Sequence, residues 1–401
     1  MKFRLAGTGC CLLDIIHNRM DFGSPQMARY RSRSPGDGGL EPGKLVFNED
    51  FERFAGQECL PALVELTGGR EPDARNIGGP GVVALIHAAQ LLDPELFDVQ
   101  FTGTLGHDAV AGEMERLLGR TPLSTWDFLS LPGVTPFTYV LSDPSFDGGR
   151  GERSFLNNIG TAGQLRPQHL PASLLTADLV VFGGTGLVPQ IHDALDELLP
   201  RARANGAFTV VNTVYDFRHQ RQDPTGRWPL GNSDRSYAAT DLLVCDHEEA
   251  LRLAGASSIP EALDFFMAKG VGAAVVTNGA RDIEVAVGSP RYGGPKRWLQ
   301  PASRALVDEL AQHPERKGDT TGAGDNFAGG VIVSVAEQLQ KGRGGADPGT
   351  IDLDEAVAWG AVSGGCACFH LGGVDYESHR GEKRARLEPY LQAYRQDRKR
   401  G

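Results

Sequence analysis

From residue 179 onward, short apolar runs recur at a spacing that few architectures accommodate. Residues 179–182, 208–211, 242–245 and 273–277 are rich in Leu, Val, Phe and Ala, and stretches of helical character separate them. Such alternation implies a parallel sheet covered on both faces. Each run stops at glycine or polar residues: Gly183-Gly184, Asn212-Thr213, Asp246-His247-Glu248-Glu249 and Asn278-Gly279. Strand ends of this kind share one edge of the sheet and line a single cleft. A first strand is expected at 3–8, which puts Asp14 just past a strand's carboxyl end. A length of 401 residues admits two or three domains, or one large α/β domain with extensions. We read 1–401 as a single domain.

The densest chemistry lies at Lys317-Gly318-Asp319-Thr320-Thr321-Gly322-Ala323-Gly324-Asp325-Asn326. Gly322, Ala323 and Gly324 are small enough for backbone N–H groups to approach an anion closely. Beyond them, Phe327, Val331, Val335 and Leu339 fall on one helical stripe. A glycine turn that opens a helix aims unpaired donors and the positive dipole end at one spot, a natural seat for phosphate. Asp325 falls in the first helical turn, where a carboxylate is stabilised, yet it repels the ligand that the glycines attract. Proton transfer accounts for it: a base accepting the proton of a hydroxyl that attacks phosphorus. A glycine-rich turn merely capped by Asp325 has the same spacing.

The whole string separates these readings. Asp319-Thr320-Thr321-Gly322-Ala323-Gly324-Asp325 closely resembles the C-terminal signature of the ribokinase-like (PfkB) carbohydrate kinase family. The resemblance implies an α/β fold, a three-layer α/β/α sandwich with a mostly parallel central sheet and a small β lid. It implies that Asp325 is the catalytic base and that Gly322, Ala323 and Gly324 form the anion hole. Asp14 matches the aspartate that binds substrate hydroxyls in the family, and Gly78-Gly79 matches its hinge and substrate contact. Where the family usually carries an Asn after that pair, Val83 stands here, so one polar contact is missing or supplied elsewhere. Residues 136–159 read as a hairpin, and the resemblance makes Glu152, Arg153 and Asn158 candidates for closing over substrate. The lid segments are placed at about 15–55 and 131–160.

On the nucleotide side, Asp246-x-x-Glu249 resembles the family's Asn-x-x-Glu, which implies Glu249 as a magnesium ligand through water. Thr277-Asn278-Gly279 resembles its Thr-Leu-Gly, with Asp282 in place of the motif's second glycine. The small residues of 353–371, Ser363 among them, would admit an adenine ring, although close helix packing explains them equally well. Thr321 joins these nucleotide contacts, and a potassium ion near Asp319 and Thr321 is a further implication. The cofactors expected are therefore ATP and Mg2+, with K+ as an option. The acceptor is expected to be a primary CH2OH of a sugar. A nucleoside such as adenosine is the alternative, because 12–15 and the Arg153…Asn158 spacing are similar to adenosine-kinase-like members. A silent nucleotide-binding regulator is a third reading.

Other readings fall away. Gly7-Thr8-Gly9 is followed by Leu12 where a dinucleotide fingerprint needs glycine. Asp21-Phe22-Gly23 spells the protein-kinase metal triplet without the catalytic loop that should precede it. His107 and Asp108 read as helix-capping residues. Six cysteines in no zinc-ribbon spacing suit a reducing, cytoplasmic setting. A formal net charge of -11 does not indicate a nucleic-acid partner. No apolar run approaches a membrane span, so no membrane partner is expected. Residues 23–44 read as a mobile insertion, 285–315 as a second insertion, and the basic stretch 379–401 as a solvated tail. A homodimer formed through the lid is expected by resemblance, unless the insertion after Asp21 blocks that edge.

Overall fold

The computed structural model describes residues 1–34, 36–149, 151–343 and 349–400. Its centre is an eight-stranded sheet, in the order Lys296–Gln300, Ile283–Val287, Ala273–Thr277, Leu242–Asp246, Phe208–Asn212, Leu179–Gly183, Phe3–Gly9 and Phe97–Thr102. The last six run parallel, and the first two form an antiparallel edge. Alternation within each central strand divides the core between two helical layers. Leu179, Val181, Leu242 and Val244 pack among the helices Pro80–Leu91, Ala323–Gly342 and Leu353–Ala367. Val180, Phe182, Leu243 and Cys245 pack on the opposite side among Leu195–Ala204 and Ile259–Ala268. This is the expected α/β/α sandwich, produced by strands that are apolar on both faces.

Register brings the strand ends together. Gly9 pairs with Gly183, Gly183 with Asn212, and Asp246 with Thr277, so these polar and glycine termini lie along one edge. Above that edge stands a five-stranded sheet, in the order Leu45–Phe47, Glu152–Asn158, Phe137–Asp143, Leu12–His17 and Ala74–Gly78. The chain steps from the main sheet at Gly9 into this second sheet at Leu12, so Asp14 lies within a lid strand.

Three expectations need correction. Residues 23–44 and their flanks are folded onto the lid: Met20, Phe22, Met27, Tyr30, Leu40, Phe51, Ala62 and Leu63 form a core with Leu141 and Leu156 of the lid strands. The Tyr30 hydroxyl donates to Glu65 at 2.5 Å inside this unit. Scattered glycines and arginines hid an apolar set that only the lid's far face completes. Residues 285–315 are not an outgrowth either, because Ile283–Val287 and Lys296–Gln300 extend the main sheet. Nor is the basic C-terminal stretch a solvated tail. The helix Glu382–Arg400 buries Leu387, Leu391 and Tyr394 in the main core. Its Arg384 pairs with Glu337 at 2.8 Å and Arg398 with Asp354 at 3.2 Å, while Arg395 pairs with Glu355. Among the described residues no helix is long and apolar enough to cross a membrane.

Phe51 is fully buried at the centre of the lid-covering unit. Phe51→Ala is expected to cost this unit about 3–5 kcal/mol. Limited proteolysis should then cut within 20–70 well before the main body, while cleavage at the wild-type rate would contradict an independent apolar core there.

Candidate active site

The helix Ala323–Gly342 begins at the sheet edge with Gly322 as its N-cap, in the left-handed region at φ 75°. Only glycine suits this position, since a Cβ would also lie about 2.5 Å from the Gly373 Cα. Among the described residues the amides of Gly322 and Gly324 reach no backbone acceptor. The Ala323 amide closes a turn on the Thr320 carbonyl at 3.2 Å, so it is the least open of the three expected anion donors. Gly324 is exposed with open space where a side chain would project. Asp319 braces the turn: Oδ1 accepts the Thr321 amide at 3.0 Å and the Gly372 amide at 3.3 Å, and Oδ2 accepts the Thr321 hydroxyl at 3.0 Å.

Asp325 follows in the first helical turn. Its side chain is partly exposed at the cleft but set deep in protein, and this desolvation pushes its carboxyl up to about 7. The Arg153 guanidinium pulls it back the other way. Asp14 is buried and also raised, first by desolvation and then by the charges of Asp319 and Asp325. The two predicted carboxylates therefore share one electrostatic environment, with Arg153 as the compensating charge. Arg153 donates to the Thr321 hydroxyl at 2.8 Å and so joins the lid directly to the glycine turn.

Strand register sorts the lid residues. Asp14 lies opposite Asn76 on one side and Thr138 on the other, Thr138 opposite Asn157, and Asn157 opposite Phe47. Residues opposite one another share a face, and Arg153, four places before Asn157, shares it too. Asn158 is paired with Phe137, in the row of Leu13 and Ile77, and so faces away from Asp14. The predicted lid contact Asn158 thus lies on the opposite face of the lid from Asp14. Asn157 occupies the cleft-facing row, 1% exposed, with Nδ2 on the Thr138 hydroxyl at 2.8 Å and Oδ1 unpartnered. Gly78 lies so close to Asp14 that any Cβ there would overlap the carboxylate, and Gly79 caps the helix Pro80–Leu91 with φ 103°. Val83 is buried in the main core, with no polar function toward the cleft.

Along the sheet edge, Asp246 caps its helix by accepting the Glu249 amide at 2.8 Å, and Glu249 Oε2 returns the bond to the Asp246 amide at 3.0 Å. The same Oε2 accepts the Thr213 hydroxyl at 2.5 Å. Burial raises the Glu249 carboxyl, so this side chain is poised between forms rather than being a plain surface acid. Thr277 ends its strand half-buried, and Gly279 lies exposed beyond it at φ 57°. Ser363 does not reach this edge. It is buried between helices, with Oγ 2.8 Å from His87 Nε2, and the small residues of its helix serve close packing against Gly330 and Phe327. Ser363 itself thus follows the packing reading of that stretch.

Two site residues escaped the sequence reading. Asn76 donates to the carbonyls of Leu371 and Val374, both at 2.9 Å, and ties the lid to the segment beside Gly322. Asn326 donates to the carbonyls of Gly322 and Gly373, both at 2.8 Å. Their partners are remote in sequence, so no local pattern announces them. A cavity of about 230 Å3 lies beside the turn, lined by Arg153, Lys317, Asp319 and Thr320. Among the described residues His192, Asp216 and His219 are close enough to share a metal ion. Their atoms are already paired: His219 Nδ1 with Asp216 at 2.6 Å, and the ring nitrogens of His192 with Thr185 at 3.0 Å and the Pro229 carbonyl at 3.2 Å.

A pfkB family carbohydrate kinase model matches residues 74–378. No curated protein matches the sequence. Among solved structures, a ribokinase from Giardia lamblia is 18% identical with a TM-score of 0.65, covering 96% of this chain and 100% of its own. An adenosine kinase from Schistosoma mansoni in complex with 2-fluoroadenosine is 15% identical with a TM-score of 0.67, covering 93% and 97%. An E. coli protein described as a ribokinase II, in complex with ATP and Mg2+, is 17% identical with a TM-score of 0.63, covering 98% and 99%. At such identities the likeness concerns the fold, which is the ribokinase-like one expected.

The raised Asp325 carboxyl has a consequence for stability. The folded state holds this proton more tightly than the unfolded chain, so the group adds stability below about pH 4, and that contribution is lost as pH rises through about 7. Asp325→Asn cannot ionise and should exceed the wild type in urea unfolding by about 1–3 kcal/mol at pH 8, the partial exposure having reduced the full effect. The gap should shrink at pH 5. A variant less stable than wild type at both pH values would refute the burial argument.

Proposed function

The chain belongs to the pfkB family of carbohydrate kinases, and from that premise we propose an ATP-dependent kinase that phosphorylates a hydroxyl, a primary CH2OH, of a sugar or sugar-like molecule. The observation that carries the reading is Asp325 itself. It is a carboxylate pushed up to about 7, next to the open amides of Gly322 and Gly324 and within electrostatic reach of Asp14 and Arg153. A base whose pKa lies near the working pH removes a hydroxyl proton most effectively. In this reading Asp14 accepts hydrogen bonds from substrate hydroxyls and orients the attacking oxygen toward Asp325. The amides of Gly322 and Gly324 receive the charge that spreads over the transferring phosphoryl.

Arg153 gives the lid its part. Its bond to Thr321 joins a lid strand to the turn, and with a phosphoryl bound its charge would be shared between the two. Thr277 and Gly279 would follow the nucleotide phosphates along the sheet edge, with Asp246 at the head of the next helix. Glu249 would hold magnesium through water, since hard cations prefer carboxylate and water oxygens, and the ion would supply positive charge to the nucleotide phosphates. Asp319 spends both oxygens bracing the turn, which leaves it available to a potassium ion only as a shared ligand.

One observation favours the second reading, a nucleoside acceptor. The row from Asp14 through Thr138 and Asn157 ends at Phe47, three strand spacings away, about 14 Å. Phe47 meets Phe217 edge to face at 6.3 Å, and Phe217 lies 4.5 Å from Tyr215. These rings line a cavity of about 380 Å3, with Arg221 and Asp50 at its rim. A flat ring at the far end of a substrate would find an aromatic wall there.

Asp325→Asn should lower kcat by roughly 10²–10⁴-fold while ATP affinity stays nearly unchanged. Retained turnover would remove Asp325 from the role of base. Coupled ADP-release assays across sugars and nucleosides then decide the acceptor. A preference for nucleosides that Phe47→Ala abolishes selects the second reading, and a preference for simple sugars indifferent to Phe47 selects the first.

A further inference from the structure

Behind the glycine turn lies a buried lysine whose acidic neighbour, Glu377, accepts its backbone amide at 2.9 Å and acts on its charge without a salt bridge to Nζ. Lys383 is 3% exposed, and among the described residues its ammonium makes no salt bridge. Its Nζ reaches two side-chain amides instead, Gln90 Oε1 at 2.8 Å and Asn326 Oδ1 at 3.4 Å. Lysine is rarely buried unpaired, because removal from water is costly and neutral amides repay only part of it. An amine kept there at such cost has a task.

That task follows from donor and acceptor chemistry. A lysine amine donates, whereas an amide side chain can present either its oxygen or its NH2. With Oδ1 turned to Lys383, Asn326 presents its NH2 to the carbonyls of Gly322 and Gly373. Turned the other way, Asn326 would set its oxygen against two carbonyls, both repulsive contacts, and its NH2 against the lysine, repulsive too whenever the amine is protonated. Gln90 is oriented in the same manner. Its Oε1 takes the lysine, and its Nε2 donates to the Asp375 carbonyl at 2.7 Å. Burial pushes the lysine down to about 7, but even the neutral amine keeps two N–H donors, one for each amide.

Both amides grip parts of one assembly. Gly322 and Gly373 are in backbone contact, and residues 371–375 are held by Asn76 from the lid, Asp319 from the turn, Asn326 and Gln90. We propose that Lys383 is a positioning residue: by orienting Asn326 and Gln90 it fixes the direction of the Gly322 turn and the segment that joins this turn to the lid. The proposal rests on reading 322–325 as the phosphoryl site only for its effect on rate.

The test uses the full-length chain carrying Lys383→Met, Lys383→Arg, Asn326→Ala and the double variant Lys383→Met/Asn326→Ala. Hydrogen–deuterium exchange needs no substrate. In Lys383→Met, peptides covering 317–326 and 371–376 should exchange about tenfold faster, as expected for the loss of about one hydrogen bond, while the central strands keep their protection. In turnover, Lys383→Met should lower kcat about 10–100-fold with the KM for ATP within about twofold, less than the loss of an anion-hole donor itself. Lys383→Arg should recover most of the rate. The double variant should lose less than the sum of the two single losses, since part of the effect of Lys383 passes through Asn326 and the rest through Gln90. Unchanged exchange in both peptides overturns the proposal, as does an additive double variant. Faster exchange in both peptides, with a wild type that turns over no alcohol, upholds the positioning role and rejects the kinase reading instead.

Discussion

Backbone amides that attract an anion and a carboxylate that repels it stand side by side at residues 322–325, and the surrounding fold depends on keeping both. The positive end of the Ala323–Gly342 helix favours negative charge at its head, while desolvation disfavours it on Asp325. Arg153 is the cation that bears on this conflict, and it reaches the site from a different sheet. The lid is thus more than a cover. Its strand carries the charge that offsets part of the burial acting on Asp325 and Asp14.

This dependence explains why the turn is braced from so many directions. Gly322 can adopt its left-handed conformation, but glycine resists no other, so the constraint must come from neighbours. Asp319 supplies it from within the loop, Asn326 from the helix, and Gly373 by direct contact. Asn76 extends the same bracing to the lid, beside Asp14 in register. A few tenths of an ångström lost anywhere in this ring would move the open amides relative to Asp325.

Those relations also mark where sequence stopped being informative. The central strands, the glycine turn and the helix start at 323 were legible because each is specified by neighbours a few residues away: apolar runs, a glycine pair, a polar first turn. The face of Asn158 was not legible because a strand's two faces differ only in parity, which is settled by pairing with Phe137 rather than by composition. Ser363 was ambiguous because a small residue serves an adenine or a helix equally, and only the position of His87, 276 residues earlier, decides. The basic C-terminal helix looked solvated for a related reason. Its arginines meet acids at 337, 354 and 355, and Lys383 meets Gln90 293 residues away, so its charge pattern gave no hint of burial.

Val83 raises the question of what replaces the amide it lacks. Its burial in the main core rules out a polar contact from that position. Under the proposed kinase reading the cleft-facing lid row would offer the substitute: Asn157, with Oδ1 unpartnered, stands two strands from Asp14 and beside Phe47. A buried acceptor without a donor is costly, and a small rotation that exposed it to a substrate hydroxyl would relieve that cost. Selectivity in such a cleft would pass from the helix at 80–91 to the lid, and the helices folded onto the lid's outer face would then hold the strands that do the selecting.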